Sequence, residues 1–182
     1  MRTLFKFFVF LLLLSALPAY AQSTESSMSI GFFNDLLTEI EYVQGQVLQL
    51  AEAMPEEKYS WRPGEGVRSV GEVYVHIGMG NYFSLSYLGG SLPEGFNPEL
   101  DKQITKKTEI IDFLKKSYDY AKSYILSLNA EDLEYPIEFF GEQSNGRRML
   151  FLILYHNHEH LGQSIAYARS NGIVPPWSQA QK

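Results

Sequence analysis

Hydrophobic residues recur at three- and four-residue steps over four separate stretches of this chain. Phe33, Leu36, Leu37, Ile40, Val43, Val47, Leu48 and Leu50 mark the first, from about residue 30 to 53, with the period of an amphipathic helix. Ser27 or Ser29 can cap it and Pro55 stops it. Pro55 to Tyr59 can make one further turn, and Trp61 to Gly66 reads as a loop. The second helix has the clearest start, because Ser69-Val70-Gly71-Glu72 is a capping box in which serine and glutamate satisfy each other's free amides. It runs to about Leu88 and ends at Gly89-Gly90. A loop with Pro93, Gly95 and Pro98 leads to a third helix, about residues 105 to 128, on Ile110, Ile111, Phe113, Leu114, Tyr118, Ala121, Ile125 and Leu128. Residues 129 to 145 read as a second irregular region, with Phe139, Phe140 and Gly141 placed to overhang a cavity mouth. The fourth helix begins at Ser144 or Asn145. Its consecutive apolar residues Met149 to Leu154 predict burial on all sides, and Asn171-Gly172 before Pro175-Pro176 ends it. No period-two run of useful length and no internal repeat is present. The pattern predicts an all-α fold, a four-helix bundle with two long irregular loops.

The first 21 residues follow a different pattern. Arg2 and Lys6 precede the apolar run Phe7 to Leu14, and Ala19-Tyr20-Ala21 offers a small-x-small cleavage site, the layout of a secretory signal peptide. The run is shorter than the span of about 20 residues that a membrane helix needs, so an uncleaved anchor is the weaker reading. Gln22 is the expected first residue of an exported chain in the periplasm or outside the cell, with no membrane attachment after cleavage. Residues 22–29 are a polar lead-in and residues 30–177 a single domain. At 182 residues, 45% of them hydrophobic, the chain is long enough for one real core.

Charge and cysteine content narrow the chemistry. Without Arg2 and Lys6, 13 basic residues face 21 acidic ones, a net charge of −8. Lysines and arginines are scattered, with Lys106-Lys107 and Lys115-Lys116 the only lysine pairs, so nucleic acid is not an expected partner. Cysteine is absent, which excludes thiolate ligands and a cysteine nucleophile. Any metal must be held by nitrogen and oxygen.

Three of the four histidines fall within His156-Asn157-His158-Glu159-His160. On a helix, His156 and His160 are one turn apart, about 6 Å along the axis, and about 40° apart in projection, on a stripe with Met149, Ile153, Gln163 and Tyr167. His158 is about 160° from His156 and points away. Two imidazoles on one face can close on a divalent ion at about 2.0 Å if a third ligand arrives from elsewhere, and His76, inward on the second helix, is the histidine left to supply it. The competing reading is a pair of interior histidines satisfied by hydrogen bonds. Two neutral imidazoles buried side by side without partners would cost several kcal/mol, which favours the metal. Glu159 can reach an imidazole from behind or face another helix; Gln163, one turn beyond His160, is better placed for the first role and equally suited to a packing hydrogen bond.

The stretch His156 to Pro176, with its H-x-x-x-H-x-G-Q core and its Asn-Gly-Ile-Val-Pro-Pro close, resembles the last helix of the DinB-like superfamily of four-helix metal-binding proteins. Trp61-Arg62-Pro63-Gly64-Glu65-Gly66-Val67-Arg68-Ser69-Val70-Gly71-Glu72, followed by His76, resembles its second-helix region. The resemblance covers about residues 30 to 177. It implies an up-down-down-up bundle in which His76, His156 and His160 are the ligands of a divalent ion, commonly zinc, with nickel, iron or manganese as alternatives. Characterised relatives include thiol transferases and a thiol-dependent isomerase. The family often carries arginine just before the Gly-Gln pair, where this chain has Leu161.

Three histidines leave a coordination position open, the arrangement of catalytic zinc, which points to metal-assisted hydrolysis or transfer on a small molecule. The alternative is a noncatalytic envelope module that holds a structural metal, or binds a ligand in an aromatic-lined space near Tyr82, Phe83, Phe140 and Trp177. A homodimer is left open.

Overall fold

The computed structural model describes residues 31–179; the expected signal peptide, the expected lead-in and the candidate capping residues Ser27 and Ser29 lie outside them. Helix α1 (31–53) buries Leu36, Ile40, Val43, Val47 and Leu50, alternating steps of four and three that make one continuous stripe. Met54 and a 3₁₀ turn at Glu56–Lys58 follow, with Pro55 just outside the turn as its cap. Helix α2 (Val70–Ser86) starts at the capping box expected from sequence: Ser69 Oγ accepts from the Glu72 amide at 3.3 Å, and the Ser69 amide donates to Glu72 Oε2 at 2.7 Å. Helix α3 is the short Leu100–Gln103, and α4 (Lys107–Ser127) buries Ile110, Leu114, Tyr118, Ala121 and Ile125. Helix α5 (Ala130–Glu134) is capped by Asn129 and Asp132. Strands β1 (Pro136–Phe139) and β2 (Glu142–Asn145) form an antiparallel hairpin with Ile137 opposite Ser144. Helix α6 (Gly146–Ser170) begins at Asn145, whose side chain accepts from the Arg148 amide at 3.1 Å.

Side-chain pairings give the directions of the four long helices. Along α2 and just past its end, Gly71, Gly78 and Gly89 meet Ile110, Phe113 and Tyr124 in turn, so α2 and α4 run parallel. Tyr167 reaches Arg68, while Leu88 lies beside Gly146, so α6 is antiparallel to α2. Phe32 packs edge-on against Phe151 near the starts of both helices, and Lys107 at the start of α4 donates to the Glu52 and Met54 carbonyls at and just past the end of α1, which sets α1 parallel to α6 and antiparallel to α4. The bundle is up-down-down-up.

Three expectations need correction. The region 129–145 is not irregular: it folds into α5 and the hairpin, and Phe140 stands at the hairpin tip, 80% exposed, rather than over a cavity. The loop before the third long helix contains α3. The helix buried on nearly all sides is α2, not α6; Phe151 and Tyr155 on α6 are about half exposed. Helix α2 touches α4, α6 and α3, and residues as small as Gly78, where a Cβ would sit 2.7 Å from the Phe113 ring, let its neighbours close in. Helix α6 lies at the margin, and a run of consecutive apolar residues on a marginal helix must turn some of them outward.

A buried polar chain ties the centre of the bundle together. Tyr118 donates to Asn157 Oδ1, Asn157 Nδ2 donates to Asn81 Oδ1 at 2.7 Å, and Asn81 Nδ2 donates to Ser117 Oγ at 3.2 Å. All four residues are buried. Because the partners come from α2, α4 and α6, a sliding helix would strand them unsatisfied, so the chain pins the register of α6 beside His156.

Candidate metal centre

The capping box sets the phase of α2 and thereby turns His76 toward α6. His156 and His160 face it from successive turns of α6. Their rings meet edge to face, with centroids 4.9 Å apart for His76 and His156, 4.7 Å for His76 and His160, and 4.5 Å for His156 and His160. One nitrogen from each falls within 4.8 Å of the others, a grouping that can hold a metal ion. Nε2 of His156 is 3.2 Å from Nε2 of His76. Two nitrogens each bound to one ion at a tetrahedral angle would be about 3.3 Å apart, so this pair is already spaced for shared coordination.

Two of the imidazoles are held neutral. Burial above all, then the charge of Arg68 and the neighbouring histidines, push the His76 pKa from 6.5 down to about 3. Burial, then His160 and Arg68, lower His156 to about 4. Neutral imidazole is the ligating form.

The orientation of His160 follows from a chain of hydrogen bonds that can run in only one sense. The Arg68 carbonyl can only accept, so Tyr167 donates to it, at 3.2 Å. The Tyr167 oxygen then accepts from Gln163 Nε2 at 3.0 Å, which turns Gln163 Oε1 toward His160 Nδ1, 2.8 Å away. Nδ1 therefore carries the proton and Nε2 keeps its lone pair for the cluster. A carbonyl-type acceptor behind a ligand histidine fixes its tautomer and raises its basicity. His156 is fixed by packing instead: its ring lies against α2 at Gly80, where a Cβ would be 2.3 Å from Cε1 and 2.5 Å from Nδ1.

The cluster opens on the His160 side. A cleft of about 580 Å³ is lined there by His160, Gln163, Arg62, Arg68, Asp101 and Lys102, among others. Arg68 donates Nε to Asp101 Oδ2 at 2.9 Å, and Arg62 donates to Glu72 at 2.8 Å.

Of the residues singled out in the sequence, His76, His156, His160 and Gln163 come together. His158 and Glu159 are exposed, and Gln163, not Glu159, makes the hydrogen bond to a histidine of the cluster. Leu161 is buried and belongs to the core. The four aromatic residues do not all line one space: Phe83 connects to Phe140 at the hairpin tip through Tyr87 and Phe139, Tyr82 stacks on Tyr120, and Trp177 lies beyond the far end of α6. Arg68, Asp101, Tyr167 and the close approach at Gly80 were not assigned from sequence. Tyr167 had a signal, since it lies on the His160 stripe; the Arg68–Asp101 pairing spans 33 positions and left none.

A family model of the DinB superfamily matches residues 39–164, which include all three histidines. The YjoA protein of Bacillus subtilis (strain 168) is 30% identical over 129 residues, 68% of this chain and 80% of its own length. Among solved structures, a DinB-like protein from Bacillus cereus ATCC 10987 is 21% identical with a TM-score of 0.69, over 78% of this chain and 93% of its own. The DinB-like YjoA structure from Bacillus subtilis is 24% identical with a TM-score of 0.63, over 81% and 99%. The two structures share the fold.

Proposed function

Because the chain belongs to the DinB superfamily and its helices gather His76, His156 and His160 into a cluster that can hold a metal ion, we propose that it is an exported metal-dependent hydrolase or transferase acting on a small molecule. The observation that carries this reading is the 3.2 Å approach of two Nε2 atoms, with a third imidazole beside them that opens onto a cleft. Zinc suits three neutral imidazoles best, and nickel, iron or manganese accept the same donors. Bound there, the ion supplies a Lewis acid and lowers the pKa of a coordinated water or thiol. The protein's own part is to fix the donors: Gln163 sets the tautomer of His160, Gly80 seats His156, and burial keeps His76 and His156 unprotonated. Arg62, Arg68 and Lys102 line the approach, each paired with an acid: Glu72, Asp101 and Glu99 in turn.

A purely structural metal would need a closed shell of four protein ligands. Among the described residues the cluster holds three donors, and Glu159, the carboxylate next to His160 in sequence, is exposed. Titrating the cobalt-substituted protein with azide separates the two cases. The visible spectrum is expected to change as azide enters an open position; a spectrum indifferent to azide would favour the noncatalytic module. Export rests on Arg2, Lys6, the apolar run and Ala19-Tyr20-Ala21. Amino-terminal sequencing of protein from whole cells should begin at Gln22, and recovery from Met1 in carbonate-resistant membranes would contradict it.

A further inference from the structure

Arg68 differs from the other cations of the cleft in what its side chain leaves free. Arg62 uses both terminal nitrogens, one donating to the Val67 carbonyl at 2.9 Å and the other to Glu72 at 2.8 Å. Lys102 is paired with Glu99. Arg68 donates only its Nε, to Asp101, and among the described residues neither of its Nη atoms has a hydrogen-bond partner. Asp101 is 5% exposed, so it acts as a fixed post rather than a mobile surface acid. On the other side, Tyr167 holds the Arg68 carbonyl. Asp101 thus holds the guanidinium and Tyr167 the backbone that carries it, and the Nη1–Nη2 edge, whose two parallel N–H groups match the two oxygens of a carboxylate, is unengaged. His160 and Gln163 line the same cleft.

We infer that Arg68 is an oxyanion anchor, and that the ligand of this site is a small molecule with a carboxylate at one end and a metal-binding donor at the other. This inference rests on the metal reading above and adds the substrate class to it. The charge balance agrees: Arg62, Arg68 and Lys102 are matched in number by Glu72, Glu99 and Asp101 around the cleft, so a divalent ion on the histidines tips the site toward anions. The cleft volume, about 580 Å³, lies in the range that encloses small molecules. Tyr167 serves both ends of the site, because one hydroxyl links the Gln163 that orients His160 to the backbone of the anchor.

The test uses two probes that differ only at the far end, β-mercaptopropionate and its amide, titrated into cobalt-loaded protein and followed by the sulfur-to-cobalt charge-transfer band. The acid is expected to bind about tenfold or more tighter than the amide, the range of a charge-assisted hydrogen bond. Arg68→Gln should retain cobalt and bind the two probes alike. Equal affinities in the cobalt-loaded wild type, or failure of both probes to bind, would overturn the anchor and leave the metal site standing. A preference that survives in Arg68→Gln would overturn it too. No cobalt uptake by the wild type would overturn the metal reading along with the anchor. The wild-type comparison decides even if the variant misfolds.

Discussion

Gly80 shows how a residue with no functional group can decide whether three imidazoles converge. The His156 ring occupies the space where a Cβ would stand, 2.3 Å from Cε1, so a methyl group there must push the imidazole away from Nε2 of His76. Alanine is otherwise the better helix former, by about 1 kcal/mol. Gly80→Ala is therefore expected to weaken metal binding at least about tenfold, the scale of losing a ligand's support, while the metal-free protein is as stable as the wild type or more so. Chelator competition and a urea melt of the metal-free protein measure the two effects; unchanged metal affinity would mean that His156 coordinates from another position. At this scale the pairing of His156 with His160 is legible from spacing, since i and i+4 fix a shared helix face without any tertiary knowledge, whereas His76 joins them only where α2 approaches α6. What was not legible depends on two helices approaching each other. Neither the Gly80 contact nor the Arg68–Asp101 pair leaves a trace in local periodicity, and Glu159 could not be separated from Gln163 until the Tyr167 chain gave Gln163 its orientation.

The elements were read where local chemistry marks both ends. Ser69 with Glu72 opens α2, and Asn145 opens α6. The hairpin is not legible in the sequence because Ile137 and Phe139 provide only two apolar positions in alternation, and because its tip lacks the Asn-Gly pair that signals such turns. Phe140 and Gly141 both take positive φ, 51° and 83°, the backbone of a type I′ turn. A phenylalanine there is strained and mostly in solvent. Phe140→Asn should raise stability by about 0.5 kcal/mol, since asparagine tolerates the left-handed region. Urea unfolding reads this directly. A loss of more than about 1 kcal/mol would show instead that the ring's packing on Phe139, centroids 4.6 Å apart, outweighs the strain. Helix α6 marks another limit of sequence patterning: six apolar residues in a row do not say which helix lies at the centre, and the small residues of α2 were the better guide.

Across the whole molecule, the parallel pairing of α2 with α4 lets α6 lie antiparallel to α2, so that one turn of α2 faces two successive turns of α6. That crossing makes the histidine cluster, and the Tyr118–Asn157–Asn81 chain holds its register from behind. The bundle therefore has a closed back and one open side, where His160 meets the cleft. The central claim is that this crossing binds one divalent ion through His76, His156 and His160. Metal content per chain, measured by mass spectrometry after dialysis against a metal buffer, tests it most directly across the wild type and four single alanine variants. About one ion is predicted for the wild type and for His158→Ala, and none for His76→Ala, His156→Ala or His160→Ala. Equal loss in His158→Ala, or full retention in all four variants, would contradict the account.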